Sequence, residues 1–423
     1  MSIKNNYSSI TPSLLLDFAS SKSLDPSISF SRTTTGTYTD ENGVLKTAPI
    51  GVPRFTHVPS TGESLGLLIE ETRTNLRTNS EDITVWGNKV GATASGNTAY
   101  APNGTLTADS LVENTDTRTW RWIEWSQSAT SGTAYSVSCF VKTTGTMNFG
   151  VIYFFPDNSV FNGAVTTFNL ITGTVASLGA STYSATITPY PNGWYRITAT
   201  QNAAATSTGF FAVGFSESAD IQTARTGTAG NTIGYVWGFQ LEAATHATSY
   251  IPTTAGSTVT RTGDYATVLA NPWFNNYYGT FIYEGVSPVY NNSNSWYWCM
   301  GSNDNRYGMF HNFGNDTFYP AYTIRTSAGT FTPTTTLSLN TKFKTGFAYN
   351  RLTSNQVAHL NGTLVSESTS AQGPNYEGGS PVVYLGRFLE ESTSLVYPID
   401  STIAKFAYYP QRLTNSQLQA LTR

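Results

Sequence analysis

The chain has 423 residues, of which 39% are hydrophobic, 13% aromatic and only 12% charged, and its formal net charge is −3. Because globular domains carry about 25% charged residues on average, most of the surface here must consist of uncharged polar side chains. The small negative charge excludes the basic field that attracts nucleic acid or an anionic membrane. Neither a nucleic-acid partner nor membrane insertion is therefore expected.

The length predicts two or three domains, and the abundance of Thr, Ser, Asn, Gly and Tyr favours strands joined by polar turns. Two cysteines, Cys139 and Cys299, are predicted to be buried apolar residues and not a disulfide. Near the start, only Leu14–Leu16 forms an apolar run, which is too short for a signal peptide or a membrane span. The chain is expected to be made in a cytoplasm and to leave, if it leaves, by a route such as lysis.

Residues 1–78 are predicted to be a leader of short strands that helps attach the protein to its assembly. The pair Asn42-Gly43 lies between two short strand patterns and predicts a hairpin turn. Short apolar segments such as Leu14–Asp17 and Leu65–Glu70 are too few to form a separate hydrophobic core. We therefore expect the leader to pack on a later module.

Residues 79–255 have about nine short strand patterns separated by turn residues, which is typical of a β-sandwich or jelly roll. The Ala/Thr/Ser/Gly-rich stretch 243–260 predicts a linker. Residues 256–423 repeat the strand rhythm and end in a short helix that Thr414 or Asn415 caps. The predicted fold is all-β: two β-sandwich modules, a leader of short strands and a short C-terminal helix.

Three groups of motifs resemble known families. The leader motifs Leu14–Ala19, Phe30–Tyr38, Val52–Phe55 and Gly66–Asn75 resemble the leaders of tailed-phage structural proteins. Asn75–Asp82 with Trp86, Trp237–Glu242 and Tyr250–Pro252 resemble jelly rolls of the carbohydrate-binding-module type in those proteins. Lys344–Tyr349, Asn361-Gly362, Leu385-Gly386 and Ile403–Leu413 resemble a concanavalin-like, laminin-G-type sandwich.

This resemblance implies a virion structural protein, located on a tail fibre, a spike or a decorated capsid, with sister chains and other virion proteins as partners. Because coiled-coil heptads are absent, an oligomer such as a trimer would form through sandwich faces or the leader. Jelly rolls of this type often hold a structural calcium ion between acids near their first and last strands. Glu81, Asp82 and Glu242 occupy those positions here, and hard carboxylate oxygens suit calcium. No other cofactor is expected.

The segment Arg118–Ser126 is the strongest candidate for a binding site. In a strand, Trp120, Trp122 and Glu124 would share one face. Indole rings beside a carboxylate offer a sugar both a stacking surface and a hydrogen-bond acceptor, although tryptophans also fill cores. Trp296 and Trp298, which follow the amide-rich segment 291–294, form a second pair with the same two interpretations. Host-surface glycan is the ligand that these residues predict.

Three other functions compete with glycan adhesion by a virion protein. A glycan-degrading tail enzyme would need acids that converge in one cleft, and the sequence clusters none. A bacterial adhesin would need a secretion signal. A purely structural decoration would need no ligand at all. Because no nucleophile–base pair, metal signature or phosphate loop is recognisable, no catalytic residue is assigned and binding without catalysis is predicted.

Overall fold

The computed structural model describes residues 10–182, 184–221, 226–287, 295–302, 305–312, 317–325, 331–338, 340–370, 381–387, 389–390, 395–396 and 399–423. Within them the protein is all-β, with sheets packed face to face as two sandwiches and a short helix near the C-terminus. The predicted fold class is confirmed.

Residues 14–75 contain short strands and one helical turn. They are β1 (Leu14–Asp17), α1 (Phe18–Ser21), β2 (Ile28–Ser31), β3 (Gly36–Thr39), β4 (Leu45–Ala48), β5 (Phe55–His57), β6 (Ser64–Ile69) and β7 (Arg73–Asn75). The predicted hairpin is present as β3 and β4, with Gly43 at a φ of 75° in the turn between them. This positive φ is a conformation that glycine adopts without steric cost.

The first sandwich contains two six-stranded antiparallel sheets. Its strands are β8 (Asn88–Val90), β9 (Ala92–Ala99), β10 (Ala108–Glu113), β11 (Trp120–Ala129), β12 (Ala134–Thr143), β13 (Phe149–Phe154), β14 (Ala164–Asn169), β15 (Thr174–Ser177), β16 (Ser184–Pro189), β17 (Tyr195–Asn202), β18 (Ser207–Ser216) and β19 (Thr232–Glu242). One sheet has the order β16-β17-β12-β19-β10-β9, and the other β15-β14-β13-β18-β11-β8. Single turns of 3-10 helix lie at Asp157–Ser159 and Pro191–Gly193.

The second sandwich, called the distal sandwich, is built mainly from the C-terminal part of the chain. The remaining elements are β20 (Val259–Arg261), β21 (Tyr265–Leu269), β22 (Tyr278–Val286), β23 (Ser295–Ser302), β24 (Asn305–Asn312), β25 (Thr317–Arg325), β26 (Lys342–Asn350), β27 (Asn355–Leu360), β28 (Thr363–Ser368), β29 (Val382–Leu385), β30 (Leu389–Glu390), β31 (Leu395–Val396), β32 (Ser401–Tyr409) and α2 (Asn415–Leu421). One sheet has the order β28-β27-β26-β22-β32-β6-β5, with β1 also on β32, and the other β2-β21-β29-β23-β24-β25.

Strands of the leader are members of both distal sheets. Strand β1 pairs with β32 in the register Leu14↔Tyr408, and β2 pairs with β21. Apolar side chains of the leader, including Leu16 and Leu67, are almost fully buried in the distal core. The leader therefore supplies strands to the distal sandwich, whose other strands follow only after the first sandwich, from β21 onwards. The boundaries at 78/79 and 255/256 stay predictions.

The connection between the two sandwiches is a pair of strands. The chain enters the first sandwich through β7 and leaves it through β20, and these two strands pair with each other. The leader also contacts the first sandwich through Leu45 of β4, which packs in a cluster with Phe140, Trp194 and Trp237. The leader thus contacts both sandwiches.

Each sandwich encloses its own apolar core. Ile123 of one sheet and Cys139 of the other belong to the core of the first sandwich. In the distal core, Phe281 stacks on Trp298. Both cysteines are buried, as predicted, and they do not form a disulfide. Apolar strand faces produce this packing, because removing apolar surface from water stabilises the fold by about 25 cal/mol per Å². Strand β12 is buried on both of its faces over most of its length.

Helix α2 begins where the sequence predicts. The hydroxyl of Thr414 accepts a hydrogen bond from the amide of Gln417, whose side chain accepts one from the amide of Thr414. This capping box satisfies two helix-end amides, and Leu418 anchors the helix on the distal sandwich. No helix among the described residues has the length and apolarity that crossing a bilayer requires.

Five buried charged side chains, called here the charge network, lie beside the β7–β20 connection. They are Arg32, Arg54, Glu70, Arg261 and Asp264. The guanidinium groups of Arg32 and Arg54 lie 3.0 Å from Asp264 and 2.7 Å from Glu70, respectively, and Arg54 also bonds Asp264. Arg261 lies 3.3 Å from Glu70. Because the members come from the leader and from residues 261–264, the network joins the two segments where they meet.

The charge network predicts a specific loss of stability in acid. Burial by itself raises the pKa of Glu70, but Arg261, Arg54 and bonds from Ser249 outweigh it and lower the pKa to about 2. A depressed folded-state pKa gives stability that is present above the unfolded pKa near 4.5 and is lost as the pH falls towards 2. Between pH 6 and pH 3 the wild type should lose about 2 kcal/mol of unfolding free energy that Glu70→Gln does not lose.

Urea denaturation at both pH values measures this difference. Glu63→Gln is the matched control, because Glu63 pairs with Lys342 at the surface and both side chains are about half exposed. Its pH profile should follow that of the wild type. A Glu70→Gln profile as steep as the wild-type profile would contradict the assignment.

Candidate functional site

The side chains of β11 alternate between the two faces of the sheet, as the sequence predicts. Ile123 and Trp125 point into the core of the first sandwich. Trp120, Trp122 and Glu124 lie on the opposite, outer face of the same sheet. The alternation follows from the twofold period of a strand, so the hydrophobic core fixes which residues face outwards.

Four aromatic side chains form a surface on this outer face, and we call them the aromatic platform: Trp120, Trp122, Tyr153 and Phe155. Trp120 stacks on Trp122 with ring centroids 4.9 Å apart and an interplanar angle of 18°. Tyr153 and Phe155 lie 5.5 and 5.7 Å from Trp122. Trp122 is 4% exposed, whereas the other three rings are half-buried. A ligand can therefore reach the outer rings while Trp122 supports them from below.

The strand between the two aromatic rows has small residues at the matching positions. Trp122 pairs with Gly214, and Glu124 pairs with Ala212, which pairs in turn with Tyr153 of β13. A Cβ on Gly214 would lie 2.0 Å from the carbonyl oxygen of Arg121 and 2.7 Å from the Cβ of Trp122. Glycine at this position lets β11 and β18 approach closely, and the rings of β11 and β13 can then meet across β18.

A polar group borders the platform at the β8 edge. The indole Nε1 of Trp122 donates a hydrogen bond of 2.7 Å to Glu124 Oε1, and Asn88 donates to Oε2. Asn88 stands directly opposite Glu124 in the β8–β11 register. The carboxylate is half-buried and holds the ring of Trp122 in place.

Tyr153 adds a hydroxyl to the opposite side of the platform. Burial, together with the charge of nearby Asp157, raises the pKa of Tyr153. Its hydroxyl therefore stays protonated at neutral pH and can both donate and accept a hydrogen bond. The platform thus combines stacking surfaces with a phenol, a carboxylate and an amide.

The second tryptophan pair does not share a face. The register of β23 shifts between Trp296 and Trp298, so a β-bulge places them on opposite sides of the sheet. Trp298 lies in the distal core, 4.4 Å from Phe281, and is 2% exposed. Trp296 stacks on Phe310 and is 3% exposed. Neither ring offers an open face in this structure, and the neighbouring segment 291–294 lies outside the described residues.

The three acids predicted to bind calcium have separate partners. Glu242 is fully buried and accepts bonds from Gln240 and Thr248, while Asp82 accepts bonds from Thr84. Glu81 accepts a bond of 3.1 Å from the hydroxyl of Tyr250. In the part of the chain that the structure describes, no three His, Cys, Asp or Glu side chains converge as metal ligands. The structure therefore does not bring the predicted calcium ligands together.

A polar cleft of about 510 Å³ in the distal sandwich is the alternative location for a ligand. Its main polar groups bond one another: Arg412 donates to Asn355 at 2.8 Å, and Asn415 donates to Glu367 at 3.1 Å. These bonds fasten α2 to the hairpin of β27 and β28. None of the described residues that line the cleft is aromatic, so the platform is the better candidate.

Sequence reasoning missed three members of the site: Tyr153, Phe155 and Asn88. The alternation in β13 indicated that Tyr153 would point away from the core-facing Ile152. No local pattern, however, showed that β13 and β8 lie on either side of the β11–β18 pair. That information belongs to the sheet order, which a single sequence does not contain.

No protein family model matches this chain, and no curated protein matches it. Solved structures that resemble it include the Ruminococcus gnavus IT-sialidase CBM40, with 14% identity and a TM-score of 0.31, over 35% of this chain and 84% of that one. Domain 4 of AbnA, a GH43 extracellular arabinanase from Geobacillus stearothermophilus, in complex with arabinotriose, matches with 12% identity and a TM-score of 0.30, over 38% and 73%.

A third similar structure, provisionally described as a carbohydrate binding protein from Bacteroides ovatus, covers 72% of this chain and 80% of its own, with 11% identity and a TM-score of 0.27. None of the three is a phage protein. The similarities concern the β-sandwich fold alone, and one fold can host many unrelated functions.

Proposed function

We propose that this protein binds glycans without transforming them and that the aromatic platform is its binding surface. The observation that carries the proposal is the pairing of half-buried, partly accessible rings with polar groups on one outer sheet face. Sugar rings present C–H groups that pack on aromatic faces, and their hydroxyls bond to groups such as the Glu124 carboxylate and the Tyr153 phenol.

Binding without catalysis is favoured by how Glu124 is used. Glycoside hydrolysis needs two carboxyl groups placed about 5–10 Å apart on either side of the scissile bond. At the platform, both oxygens of Glu124 already accept bonds from Trp122 and Asn88. The carboxylate therefore positions the ring of Trp122 and can accept a hydrogen bond from a ligand hydroxyl. Both roles belong to binding and not to catalysis.

We propose further that the protein lies on the surface of a phage particle and adheres to host glycan. Its support is the resemblance of leader motifs such as Phe30–Tyr38 and Gly66–Asn75 to those of phage structural proteins. A particle that displays many copies would raise the avidity of a shallow site by about 10²–10⁴. A homo-oligomer would provide the same advantage on a smaller scale.

Replacing Trp120 with alanine should weaken glycan binding about 5- to 30-fold, which corresponds to the loss of about 1–2 kcal/mol of stacking and apolar contact. The measurement is a glycan array with the intact protein, followed by titration of the best neutral ligand. Tyr153→Ala should also weaken binding, because it removes a ring and a hydroxyl.

Tyr100→Ala is the matched control, since Tyr100 is 70% exposed in the same sandwich but lies in the turn after β9 on the other sheet. It should bind like the wild type. Unchanged binding by Trp120→Ala and Tyr153→Ala, with the control also unchanged, would refute the platform as the site. Absence of glycan binding by the wild type would leave a purely structural role.

A further inference from the structure

We propose that Glu124 makes the aromatic platform selective for uncharged glycans and against acidic ones. This inference rests on the proposed function and adds the class of ligand. It follows from the position, exposure and charge environment of a single carboxylate.

Glu124 lies at the polar border of the platform and keeps free capacity to accept hydrogen bonds. Each carboxylate oxygen can accept about two bonds, and each receives one, from Trp122 or Asn88. Both donors are neutral, so the negative charge is retained. The side chain is partly exposed, and a ligand hydroxyl can therefore donate to it.

No positive side chain neutralises Glu124 among the residues that the structure describes. Arg118, near the start of β11, pairs with Asp116 at 2.9 Å. Lys89 precedes Val90 on the neighbouring strand, but its ammonium group donates to the backbone oxygens of Thr84 and Trp86. Arg121, which lies between Trp120 and Trp122 in sequence, is fully buried and pairs with Glu113 at 3.5 Å. These three cations are thus bound to other groups.

An uncompensated carboxylate repels a ligand carboxylate that is held within about 5 Å. At a partly exposed site this repulsion corresponds to roughly a 5- to 50-fold weaker association for the acidic ligand. Neutral sugars gain a charge-assisted hydrogen bond from their hydroxyls instead. The same site would also tolerate an amino sugar, whose ammonium group is attracted to Glu124.

The experiment compares neutral and acidic partners of one backbone on the intact protein. The probes are lactose with sialyllactose, galactan with galacturonan oligosaccharides, and glucan with glucuronan oligosaccharides. The wild type should bind the neutral member of each recognised pair about 5- to 50-fold more tightly. Glu124→Gln should reduce this ratio to about one- to twofold, because glutamine keeps an acceptor for the indole of Trp122 and removes the charge.

A salt titration of the wild type tests the same point without a variant. In 1 M salt the Debye length falls to about 3 Å, so the discrimination should decrease several-fold while binding of the neutral glycan persists. Glu63→Gln, which removes an exposed carboxylate from the distal sandwich, is the control and should keep the wild-type ratio.

The outcomes separate the two proposals. If the wild type binds neutral and acidic partners equally, or if Glu124→Gln keeps the wild-type ratio, the selectivity is refuted and glycan binding stands. If the wild type binds no glycan of either kind, both proposals fall together. Melting temperatures of the variants within about 2 °C of the wild type exclude unfolding as the cause of any change.

Discussion

Replacing Asp264 with asparagine should lower the free energy of unfolding by about 3–5 kcal/mol. Asp264 is fully buried, and its two oxygens bind the guanidinium groups of Arg32 and Arg54. It also accepts a bond of 3.0 Å from the amide of Glu70. Without the carboxylate, the buried Arg32 loses its acidic partner and Arg54 keeps only Glu70. The uncompensated charge in a medium that solvates it poorly is the main cost.

Urea denaturation followed by tryptophan fluorescence measures the loss. Glu63→Gln again provides the control, because exposed ion pairs contribute about 0–1 kcal/mol. A loss below about 1 kcal/mol for Asp264→Asn would show that the charge network does not hold the leader in place. A loss equal to that of the control would lead to the same conclusion.

Replacing Trp298 with alanine should cost about 3–5 kcal/mol of unfolding free energy and leave glycan binding unchanged. The ring stacks on Phe281 at 4.4 Å and meets the edge of Phe406 at 5.5 Å. Removing it leaves a cavity between the two distal sheets, which neighbouring side chains fill only in part. The expected result separates a core tryptophan from a binding tryptophan.

Leu352→Ala is the comparison, because Leu352 is 72% exposed in the same sandwich and its truncation should change stability by less than about 0.5 kcal/mol. Calorimetry gives both values. If Trp298→Ala abolished glycan binding without a loss of stability, the distal sandwich would have to be reconsidered as the binding module.

The sequence predicted the two faces of β11 correctly because that strand is regular. Its pairing with β18 continues without a shift from Trp120↔Ser216 to Ala129↔Ser207, so every second residue points the same way. The same rule failed for Trp296 and Trp298, because a bulge inserts one residue between them. A bulge has no reliable local signature, and the face of a residue beyond it cannot be counted from the sequence.

Two further features were beyond prediction for a different reason. The charge network gathers residues between 32 and 264, and isolated charged residues are ordinarily expected at the surface. The leader was recognised as lacking a core, but its partner strands lie far along the chain and their pairing has no local cause. Local patterns determine strands and faces, whereas long-range register depends on the packing of the whole domain.

The distribution of the leader over the distal sheets has a consequence for how the protein is made. Ser13 bonds with Tyr408 across 395 positions, so a ribosome adding about 5–20 residues per second needs roughly 20–80 s between the two. Strands β8–β19 pair with one another and can close during that time. Strands β1 and β6 of the leader remain without their partner strand until β32 emerges from the ribosome. Chains interrupted before β32 therefore expose those strands to proteases and chaperones, and a nascent chain becomes protected along its whole length only late in translation.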